Sequence, residues 1–535
     1  MHRSDDQRRV LQLLRETGLA PGEAARVARE TAAPEAEVYG AGSFYHLLRD
    51  DGVQLRVCSG TPCRLRGADA LLAAARRSGL AAEPCSCLAA CDTAPAVLVD
   101  RVVQQGIGTA EIEVAARAGE LAAQPDREVL RGAIGPEDAP DDSLAIHLHR
   151  EAEFDGAALQ WAGGLGAPAV IDEIEASGLQ GRGGAGFPAH VKWRAVREAR
   201  SLPKYVVLNA DEGEPGTFKD REILLRRPDR VLEGLAIAAQ TVGAGEVHLY
   251  LRGEFETPRR ILQEALARFA PVLPRDLVFS FHAGDGAYVC GEETALLESI
   301  EGKRGMPRIK PPFPVEHGLW GQPTLVHNVE TIACVPEIVK RGGPWFRGLG
   351  RSEPGTKLYC ISGEVHRPGT YELPLGTTLD ELLLAAGGME GELRAFSPGG
   401  ASSGFLPASY RSVPLDFGSL AKVGSMLGSA GVIVLSRDAD LREALLDQLR
   451  FFEEESCGQC APCRIGTRYL HEAVVGAEAE TGAGPRLSRA AEVAWEMNEG
   501  SICGLGAAAS KPLTSALEHF PEIFAASPGH GGAEE

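Results

Sequence analysis

The sequence predicts a multidomain α/β protein. Its 535 residues are enough for three or four domains. Between residues 160 and 345, strand-like segments rich in β-branched and aromatic residues alternate with amphipathic helical segments, a pattern typical of a mostly parallel sheet. Nine of the twelve cysteines fall into two groups, one towards each end of the chain. These groups predict further domains that bind metal or carry out redox chemistry.

The composition argues against several classes of function. A formal net charge of −20 disfavours nonspecific binding to nucleic acid or to an anionic membrane. No apolar run approaches the roughly 18 residues of a transmembrane helix, and the charged N-terminal segment lacks the apolar stretch of a secretory signal. We therefore expect a cytoplasmic protein without direct membrane insertion, whose thiols serve metal or redox chemistry rather than disulfides.

The first cysteine group follows a short helical lead-in. The sequence predicts Cys58 and Cys63 on a turn between a strand and a helix, and Cys85, Cys87 and Cys91 on a second turn before another strand. Two pairs of thiolates at the tips of neighbouring elements suit either a 2Fe-2S cluster or a zinc ion. The spacing alone leaves both open. A polar stretch rich in Pro and Asp then predicts an interdomain linker.

The middle of the chain is organised around the glycine-rich segment GRGGAGFP at 181–188. Its four glycines allow the backbone to approach a bulky anion closely. The segment matches the G-x-G-x-x-G pattern of dinucleotide-binding folds, but in those folds the pattern follows a strand. Here the preceding PAVIDEIEASGLQ has helical apolar spacing, which argues against a standard Rossmann site. The segment therefore predicts a phosphate-binding loop or, alternatively, a plain surface loop.

Three later segments carry polar groups that suit such a loop. NADEGEPGTFKDR at 209–221 places carboxylates and an amide at the end of a predicted strand. YVCGEET at 288–294 is a second glycine-containing turn with paired glutamates, and RIKPPFP at 308–314 adds a lysine and an aromatic residue. In the small β-rich region that follows, nothing looks catalytic, and we interpret that region as a spacer.

The second cysteine group lies in a helical C-terminal region. CGQCAPCR contains Cys457, Cys460 and Cys463, and SICGLG adds Cys503. Three thiolates on one tight turn with a distant fourth are typical of a 4Fe-4S cluster, whereas zinc sites need only paired cysteines. This spacing predicts a 4Fe-4S site.

Together, the four central segments closely resemble the flavin- and NADH-binding subunit of respiratory complex I and its relatives in soluble NAD-linked formate dehydrogenases and hydrogenases. SCGQCAPCR and CGLG are similar to the 4Fe-4S motifs of that family, and VYGAGSFYHLL, TPCRLRG and CDTAP resemble the 2Fe-2S subunit of the same complex. The implied parts are a helical lead-in (1–50), a thioredoxin-like 2Fe-2S domain (51–121), a linker (122–159), a Rossmann-like but non-standard α/β domain for FMN and NAD(H) (160–345), a ubiquitin-like β-grasp (SLBB) domain (354–438), a helical 4Fe-4S domain (439–525) and a disordered tail (526–535).

The resemblance also implies the ligands of each cofactor. The 2Fe-2S ligands are Cys58, Cys63, Cys87 and Cys91, with Cys87 preferred to Cys85 because its spacing to Cys91 is that of the family, and the 4Fe-4S ligands are Cys457, Cys460, Cys463 and Cys503. The FMN residues are Gly181, Arg182, Gly183, Gly184, Lys192, Asn209, Asp211, Glu212, Gly291, Glu292 and Asn328. The NAD(H) residues are Phe187, Glu214, Glu293, Lys310 and Phe313, with Glu214 and Glu293 near the nicotinamide.

Two residues depart from the family pattern around these ligands. His327 stands where an asparagine is usual, and Ala195 stands where a second aromatic residue is expected, so stacking on the adenine is predicted to be weaker. No protein nucleophile is expected, because hydride would pass directly between the nicotinamide and the flavin. A single carboxylate in these loops could instead be a solvated residue or a helix N-cap.

The implied function is that of an NAD(H)-dependent oxidoreductase subunit, a diaphorase that joins two-electron hydride chemistry to one-electron iron–sulfur clusters through a flavin. The shortened gap between Cys63 and Cys87, followed by CDTAPAV, resembles the β subunit of NAD-dependent formate dehydrogenase, so the expected partner is a molybdenum- or tungsten-containing formate-oxidising subunit. Alternatives are the input module of NADH-quinone oxidoreductase (complex I) and the diaphorase of an NAD-reducing hydrogenase. A zinc-stapled nucleotide-binding scaffold is the alternative from a different class.

Overall fold

The computed structural model describes most of the chain. The predicted tail at 526–535 and the first part of the predicted linker, 122–131, lie outside the described residues. The described residues are 9–49, 52–119, 121, 132–140, 142–476 and 485–524. Among them, no helix combines the length and the apolar character needed to cross a bilayer.

The N-terminal part contains a helical lead-in and a small mixed sheet. The four strands are ordered β2-β1-β3-β4, with β1 and β2 parallel and the other pairs antiparallel. One helix and one short helical turn cover the space between the cysteine turns, in keeping with the short gap in the sequence. The elements are α1 (Val10–Thr17), α2 (Glu23–Thr31), α3 (Glu35–Phe44), β1 (Leu55–Cys58), α4 (Thr61–Leu65), α5 (Ala68–Arg77), β2 (Ala82–Cys85), β3 (Ala96–Val99), β4 (Val102–Gln105) and α6 (Thr109–Ala118).

The central domain is built on a wholly parallel sheet, as the alternating sequence pattern predicts. Its strands are ordered β8-β7-β6-β9, and helices cover it. Successive residues of β6 point into different cores, because Leu208 packs into one hydrophobic cluster and Val207 into another. The elements are α7 (Ala157–Leu165), α8 (Ala167–Ser177), α9 (Ala189–Glu198), β6 (Tyr205–Ala210), α10 (Lys219–Arg226), α11 (Pro228–Val242), β7 (Glu246–Leu251), α12 (Glu256–Phe269), β8 (Val278–Ala283), α13 (Glu293–Ile300), α14 (Pro314–His317), β9 (Thr324–Asn328), α15 (Val329–Arg341) and α16 (Gly343–Gly348).

A β-grasp-like domain and a helical domain complete the chain. The sheet of the former is ordered β13-β12-β14-β10-β11-β5, in which β5 is the segment Ala133–Gly135 and β10 and β14 are parallel at the centre. Its elements are β10 (Thr356–Gly363), β11 (Gly369–Pro374), α17 (Leu379–Ala385), β12 (Leu393–Ser397), β13 (Leu406–Pro407), α18 (Phe417–Lys422) and β14 (Gly431–Ser436). The helical domain contains α19 (Leu441–Glu455), α20 (Ala461–Gly476), α21 (Pro485–Ser488), α22 (Ala490–Gly500), α23 (Gly504–Ala508) and α24 (Lys511–His519).

The described part of the predicted linker is ordered and attached to the β-grasp-like sheet. It forms β5 (Ala133–Gly135), which pairs in parallel with β11. Further along, the buried carboxylate of Glu372 accepts the N–H groups of Ala145 at 2.7 Å, Ile146 at 2.9 Å and His147 at 2.8 Å. Hydrogen bonds to a carboxylate are stronger than those between neutral groups. This segment therefore holds the chain that follows the small N-terminal sheet against the β-grasp-like domain.

We expect Glu372→Gln to destabilise this attachment, because an amide offers one acceptor oxygen where three N–H groups need partners. The loss should be about 2–3 kcal/mol of unfolding free energy. Hydrogen exchange at residues 145–147 should accelerate first. The matched control is Glu392→Gln, whose carboxylate is 71% exposed and should contribute almost nothing. Unchanged exchange at 145–147 in Glu372→Gln would contradict this account of the linker.

Candidate functional site

The predicted flavin residues meet at the carboxyl edge of the parallel sheet. Asp211 follows the end of β6, and Asn209 in β6 is the register partner of Asn328 in β9. The side chain of Asn209 donates to the carbonyl oxygen of Gly291 at 2.8 Å, which brings the second glycine turn to the same edge. In open parallel sheets the ligand site lies outside the carboxyl ends of the strands. The three polar segments therefore converge where a ligand site is expected.

The glycine-rich loop lies over this edge and connects two helices. It closes on itself through the N–H of Gly181, which donates to the carbonyl oxygen of Phe187 at 2.8 Å. Gly184 and Gly186 have φ of 139° and 64°, values that favour glycine. A Cβ on Gly183 would lie 3.1 Å from the Cβ of Asn328, so the loop backbone approaches the sheet edge closely. The loop runs from α8 to α9, which confirms that it is not a strand-to-helix Rossmann turn.

Two side chains at this edge, those of Arg182 and Asp211, have buried polar atoms without a hydrogen-bond partner within the described protein. Arg182 is fully buried, and its Nη2 donates to the carbonyl oxygen of Pro354 at 2.9 Å, while its Nε and Nη1 have no protein acceptor. The Oδ2 of Asp211 is likewise unpaired, and burial raises the pKa of that carboxyl well above its usual range. Buried polar groups are nearly always hydrogen-bonded. A ligand with an anionic group and hydrogen-bonding polar atoms, such as a flavin mononucleotide, fits these unpaired groups.

A buried charge network supports Asn328 from below. Its Oδ1 accepts from the Nζ of Lys219 at 3.2 Å, and its Nδ2 donates to Asp220 at 2.6 Å. Lys219 also pairs with Glu330 at 3.1 Å, and Lys357 of β10 pairs with the same carboxylate at 2.5 Å. Burial by itself raises the pKa of the Glu330 carboxyl, but the two lysines lower it below its usual range. The amide of Asn328 is thus held in one orientation.

Glu212 has a structural partner set of its own. Its carboxylate accepts the N–H groups of Asp220 at 2.9 Å and Arg221 at 3.0 Å, so it caps the N-terminus of α10. Burial is the main cause that raises the pKa of Glu212 to about 7. The carboxylate of Glu212, which the sequence predicts to contact the flavin, is therefore occupied as a helix N-cap.

The paired glutamates of the second turn are joined to two lysines. Glu292 caps α13 with its Oε2, and its Oε1 accepts from the Nζ of Lys310 at 2.8 Å. The neighbouring Glu293 accepts from the Nζ of Lys192 at 2.5 Å. Each of these two ion pairs joins a residue predicted for the flavin to one predicted for the nucleotide. The two predicted sets therefore form one cluster of Lys192, Glu292, Glu293 and Lys310.

The remaining nucleotide residues differ in exposure. Phe187 and Phe313 are 47% and 49% exposed, so each presents an open ring face. Glu214 is instead buried, and both of its carboxylate oxygens have donors within the protein. The hydroxyl of Tyr288 donates to Oε2, and the N–H of Ser402 donates to Oε1 at 2.8 Å. Burial is the largest cause that raises the pKa of Glu214.

Ser402 and Lys357 belong to the β-grasp-like domain, for which the sequence alone favours the interpretation of a spacer. That interpretation is wrong, because both residues contact members of the central site. No local motif marks them, since each lies in an ordinary strand or turn segment.

The first cysteine group forms a buried set of thiols. Cys87 Sγ and Cys91 Sγ are 3.6 Å apart, near the ~3.8 Å expected for two sulfurs on one tetrahedral metal with metal–sulfur bonds of about 2.3 Å. Contact with Cys63 is the largest cause that raises the pKa of Cys58, and contact with Cys58 is the largest that raises the pKa of Cys87. Cys85 is half-buried on β2 beside Cys58, and burial is the largest cause that raises its pKa.

The second cysteine group surrounds the start of α20. Cys457 and Cys460 lie on the loop after α19, Cys463 lies in the first turn of α20, and Cys503 precedes α23. Burial raises the pKa of Cys463 to about 12, and the hydroxyl of Ser456, 3.3 Å from its sulfur, opposes that shift. Among the described residues no three His, Cys, Asp or Glu side chains are arranged around a single metal ion. Each of the two groups holds at least four free thiols, and thiolates are the donors that iron–sulfur clusters use.

Sequence reasoning missed Lys219, Arg252, Tyr288 and Glu455. Arg252 directly follows β7, so the rule that ligand sites gather at strand carboxyl ends could have found it. Glu455 accepts from the N–H of Tyr288 at 2.8 Å and lies two residues before Cys457, but nothing in the sequence indicates that contact.

Family models match four parts of the chain. They are a thioredoxin-like [2Fe-2S] ferredoxin at 5–117, the Nuo51 FMN-binding domain at 174–337, an SLBB domain at 358–406 and the iron–sulfur binding region of NADH-ubiquinone oxidoreductase-F at 443–527. These matches confirm the predicted fold class and the predicted FMN, 2Fe-2S and 4Fe-4S domains.

Curated relatives and a solved structure agree with those models. The F 2 subunit of NADH-quinone oxidoreductase from Rhizobium meliloti is 45% identical over 370 residues, which cover 67% of this chain and 88% of the relative. The F-type subunit of the same enzyme from Rickettsia typhi is 41% identical over 403 residues, which cover 71% of this chain and 96% of the relative. A chain of the NAD⁺-reducing [NiFe]-hydrogenase in the H₂-reduced state superposes with a TM-score of 0.88 at 32% identity, covering 98% of this chain and 94% of that one. The chain therefore belongs to the family of F-type NADH-quinone oxidoreductase subunits, joined in one polypeptide to a thioredoxin-like [2Fe-2S] ferredoxin domain.

Proposed function

We propose that the chain exchanges hydride with NAD(H) at the carboxyl edge of its parallel sheet and exchanges single electrons with partner subunits through its 4Fe-4S domain. The observation that carries this proposal is a direct contact between the 4Fe-4S domain and the predicted flavin site. Glu455, two residues before Cys457, accepts the backbone N–H of Tyr288 at 2.8 Å, and Tyr288 begins the glycine-containing turn that leads to Glu292 and Glu293. The chemistry that FMN would supply at that edge is the conversion between two-electron hydride transfer and single-electron transfer.

The protein's part is to bind and orient. We assign the loop Gly181–Gly184 and the unpaired guanidinium nitrogens of Arg182 to the phosphate of FMN. Asn209, Asp211, Glu212, Gly291 and Asn328 would contact its ribityl chain or ring, Glu212 through its backbone rather than its engaged carboxylate. Because the amide of Asn328 is fixed by Lys219 and Asp220, it would not need to reorder when the ligand binds.

The nucleotide side is assigned to the exposed aromatic residues and the glutamate–lysine cluster. Phe187 and Phe313 each offer a ring face on which the adenine could stack. Lys310, held by Glu292, would contribute positive charge for the nucleotide phosphates. Glu293 and Glu214 are assigned near the nicotinamide and ribose. Neither has to act as a nucleophile, because positioning is sufficient for hydride transfer.

For the partner we propose the formate-oxidising subunit of an NAD⁺-dependent formate dehydrogenase, with molybdenum or tungsten. The support is the short Cys63–Cys87 segment and the following CDTAPAV. A hydrogenase partner is the second candidate, favoured by the likeness over 98% of the chain to the NAD⁺-reducing hydrogenase. The complex I input module is a third, favoured by the NADH-quinone oxidoreductase relatives. All twelve cysteines are free thiols, in keeping with the cytoplasmic location that we propose.

Adjacent cysteines test the 2Fe-2S ligand set. We expect Cys87→Ser to abolish the EPR signal of the reduced 2Fe-2S cluster, because Cys87 is in contact with Cys58 and Cys91. Cys85→Ser, two residues away, is the matched control and should retain the signal and the full iron content. The opposite result for the two variants would exchange their roles.

We expect Cys503→Ser to separate the two half-reactions. Iron should fall from about six to about two atoms per chain with loss of the 4Fe-4S cluster. Bound FMN should still be bleached by NADH in a single turnover, whereas electron transfer to the partner subunit should collapse. An intact 4Fe-4S spectrum in Cys503→Ser would remove Cys503 from the ligand set.

The partner is tested on the native complex, purified through a tag on this chain. We expect reduction of NAD⁺ by formate, loss of that activity when the complex is depleted of molybdenum and tungsten, and no reduction by hydrogen. NAD⁺ reduction with hydrogen but not formate would assign the chain to a hydrogenase. NADH oxidation with quinone alone would assign it to complex I.

A further inference from the structure

Two buried arginines of the central domain contact the loop that carries Cys87 and Cys91. Nη2 of Arg252 donates to the carbonyl oxygen of Cys87 at 2.8 Å, and Nη1 of Arg221 donates to the carbonyl oxygen of Ala89 at 2.7 Å. The two residues are 7% and 4% exposed. The ligand loop of the ferredoxin domain is therefore hydrogen-bonded to cations from another domain.

The same two arginines also contact the flavin side. Arg252 donates through Nη1 to the carbonyl oxygen of Glu212, and the backbone N–H of Arg221 donates to the carboxylate of Glu212 at 3.0 Å. One arginine side chain, that of Arg252, therefore connects the peptide of a predicted flavin residue with the peptide of a predicted cluster ligand. These contacts are direct and need no intervening water.

An arginine suits this position for geometric and electrostatic reasons. Its planar fork offers donors in several fixed directions, and Arg252 uses them for Glu212, Cys87 and the carboxylate of Glu254, the last at 2.8 Å. Burial by itself lowers the pKa of Arg252, but the acidic groups around it, the carboxylate of Glu254 foremost, together raise that pKa by more than burial lowers it. The guanidinium therefore stays charged. A lysine would keep the charge but could not reproduce the fork.

A cavity marks the same junction between the two sites. Cys85 and Cys87 line it on the ferredoxin side, and Asp211, Arg252 and Tyr288 line it on the flavin side. The predicted cluster and the predicted flavin site thus face each other across the contact that Arg252 makes.

We propose that Arg252 and Arg221 are positioning residues that set the reduction potential of the 2Fe-2S cluster. Positive charge near a cluster stabilises its reduced form, which carries one more negative charge. By holding the carbonyl groups of Cys87 and Ala89, the arginines raise the potential and fix the ligand loop against the flavin site. The inference rests on the ligand set proposed above.

The test is an EPR-monitored redox titration of the full chain. We expect Arg252→Gln to lower the equilibrium constant for reduction of the 2Fe-2S cluster about tenfold, which is about 59 mV for one electron. Arg252→Lys restores the charge without the fork, so its potential should lie between those of Arg252→Gln and the wild type. The potential of the 4Fe-4S cluster should not change in either variant.

Arg227→Gln is the matched control. Arg227 is also deeply buried, pairs with the carboxylate of Asp229 and donates to the carbonyl oxygens of Ile146 and His147. Among the described residues its side chain forms no hydrogen bond or ion pair with the ferredoxin loop. Its substitution should leave both cluster potentials at wild-type values.

Three outcomes would overturn the inference. The first is a wild-type 2Fe-2S potential in Arg252→Gln at full cluster content, and the second is an equal shift of both clusters. If Arg252→Gln does not fold, Arg252→Lys and Arg221→Lys decide, and wild-type potentials in both are the third. Absence of a 2Fe-2S signal from the wild type would be a different failure, because it would remove the proposed ligand set itself.

Discussion

The pairing of buried charge at the carboxyl edge of the parallel sheet is the constraint on which the site depends. An isolated ion in a low-dielectric interior costs several kcal/mol, and removing one partner of a buried pair is strongly destabilising. The edge nevertheless buries Lys219, Glu330 and Lys357 within 3.1 Å of an opposite charge. Because Lys357 comes from β10, the edge is complete only when the β-grasp-like domain is packed against it. The ion pair between Lys357 and Glu330 therefore contributes both to the geometry of the sheet edge and to the packing of the two domains.

Segments without catalytic motifs also help to hold the β-grasp-like domain in place. The strand β5 joins the sheet of the β-grasp-like domain, and Glu372 in the same sheet binds three N–H groups of the linker. The backbone N–H of Ser402, from the same domain, donates to Glu214, which is predicted to lie in the nucleotide site. The β-grasp-like domain, which has no predicted catalytic residue, thus binds both the linker that follows the ferredoxin domain and a residue of the flavin domain.

The fused ferredoxin domain is held by charged side chains as well as by apolar contact. Arg64, one residue after Cys63, pairs with Asp447 of α19, and Ser86, one residue before Cys87, donates to Glu455 at the end of that helix. Arg221 and Arg252 contact the same cysteine loop from the flavin side. The loop therefore lies between the flavin site and the helix that leads to Cys457. Glu455 joins the three parts, because its carboxylate accepts from Ser86 and from the N–H of Tyr288, and it lies two residues before Cys457.

The sequence by itself determined the local chemistry. Cysteine spacing, the glycine-rich loop and the strand–helix alternation depend on near neighbours, so the two cysteine groups, a glycine-rich loop that follows a helix and the parallel sheet could be predicted. The tertiary structure alone decided which charges meet. Arg252 is 165 residues from Cys87, and Ser402 is 188 residues from Glu214. Those contacts depend on strand order and domain packing, which leave no periodic signal in the chain, because one buried arginine or serine looks like any other until its partner is in place.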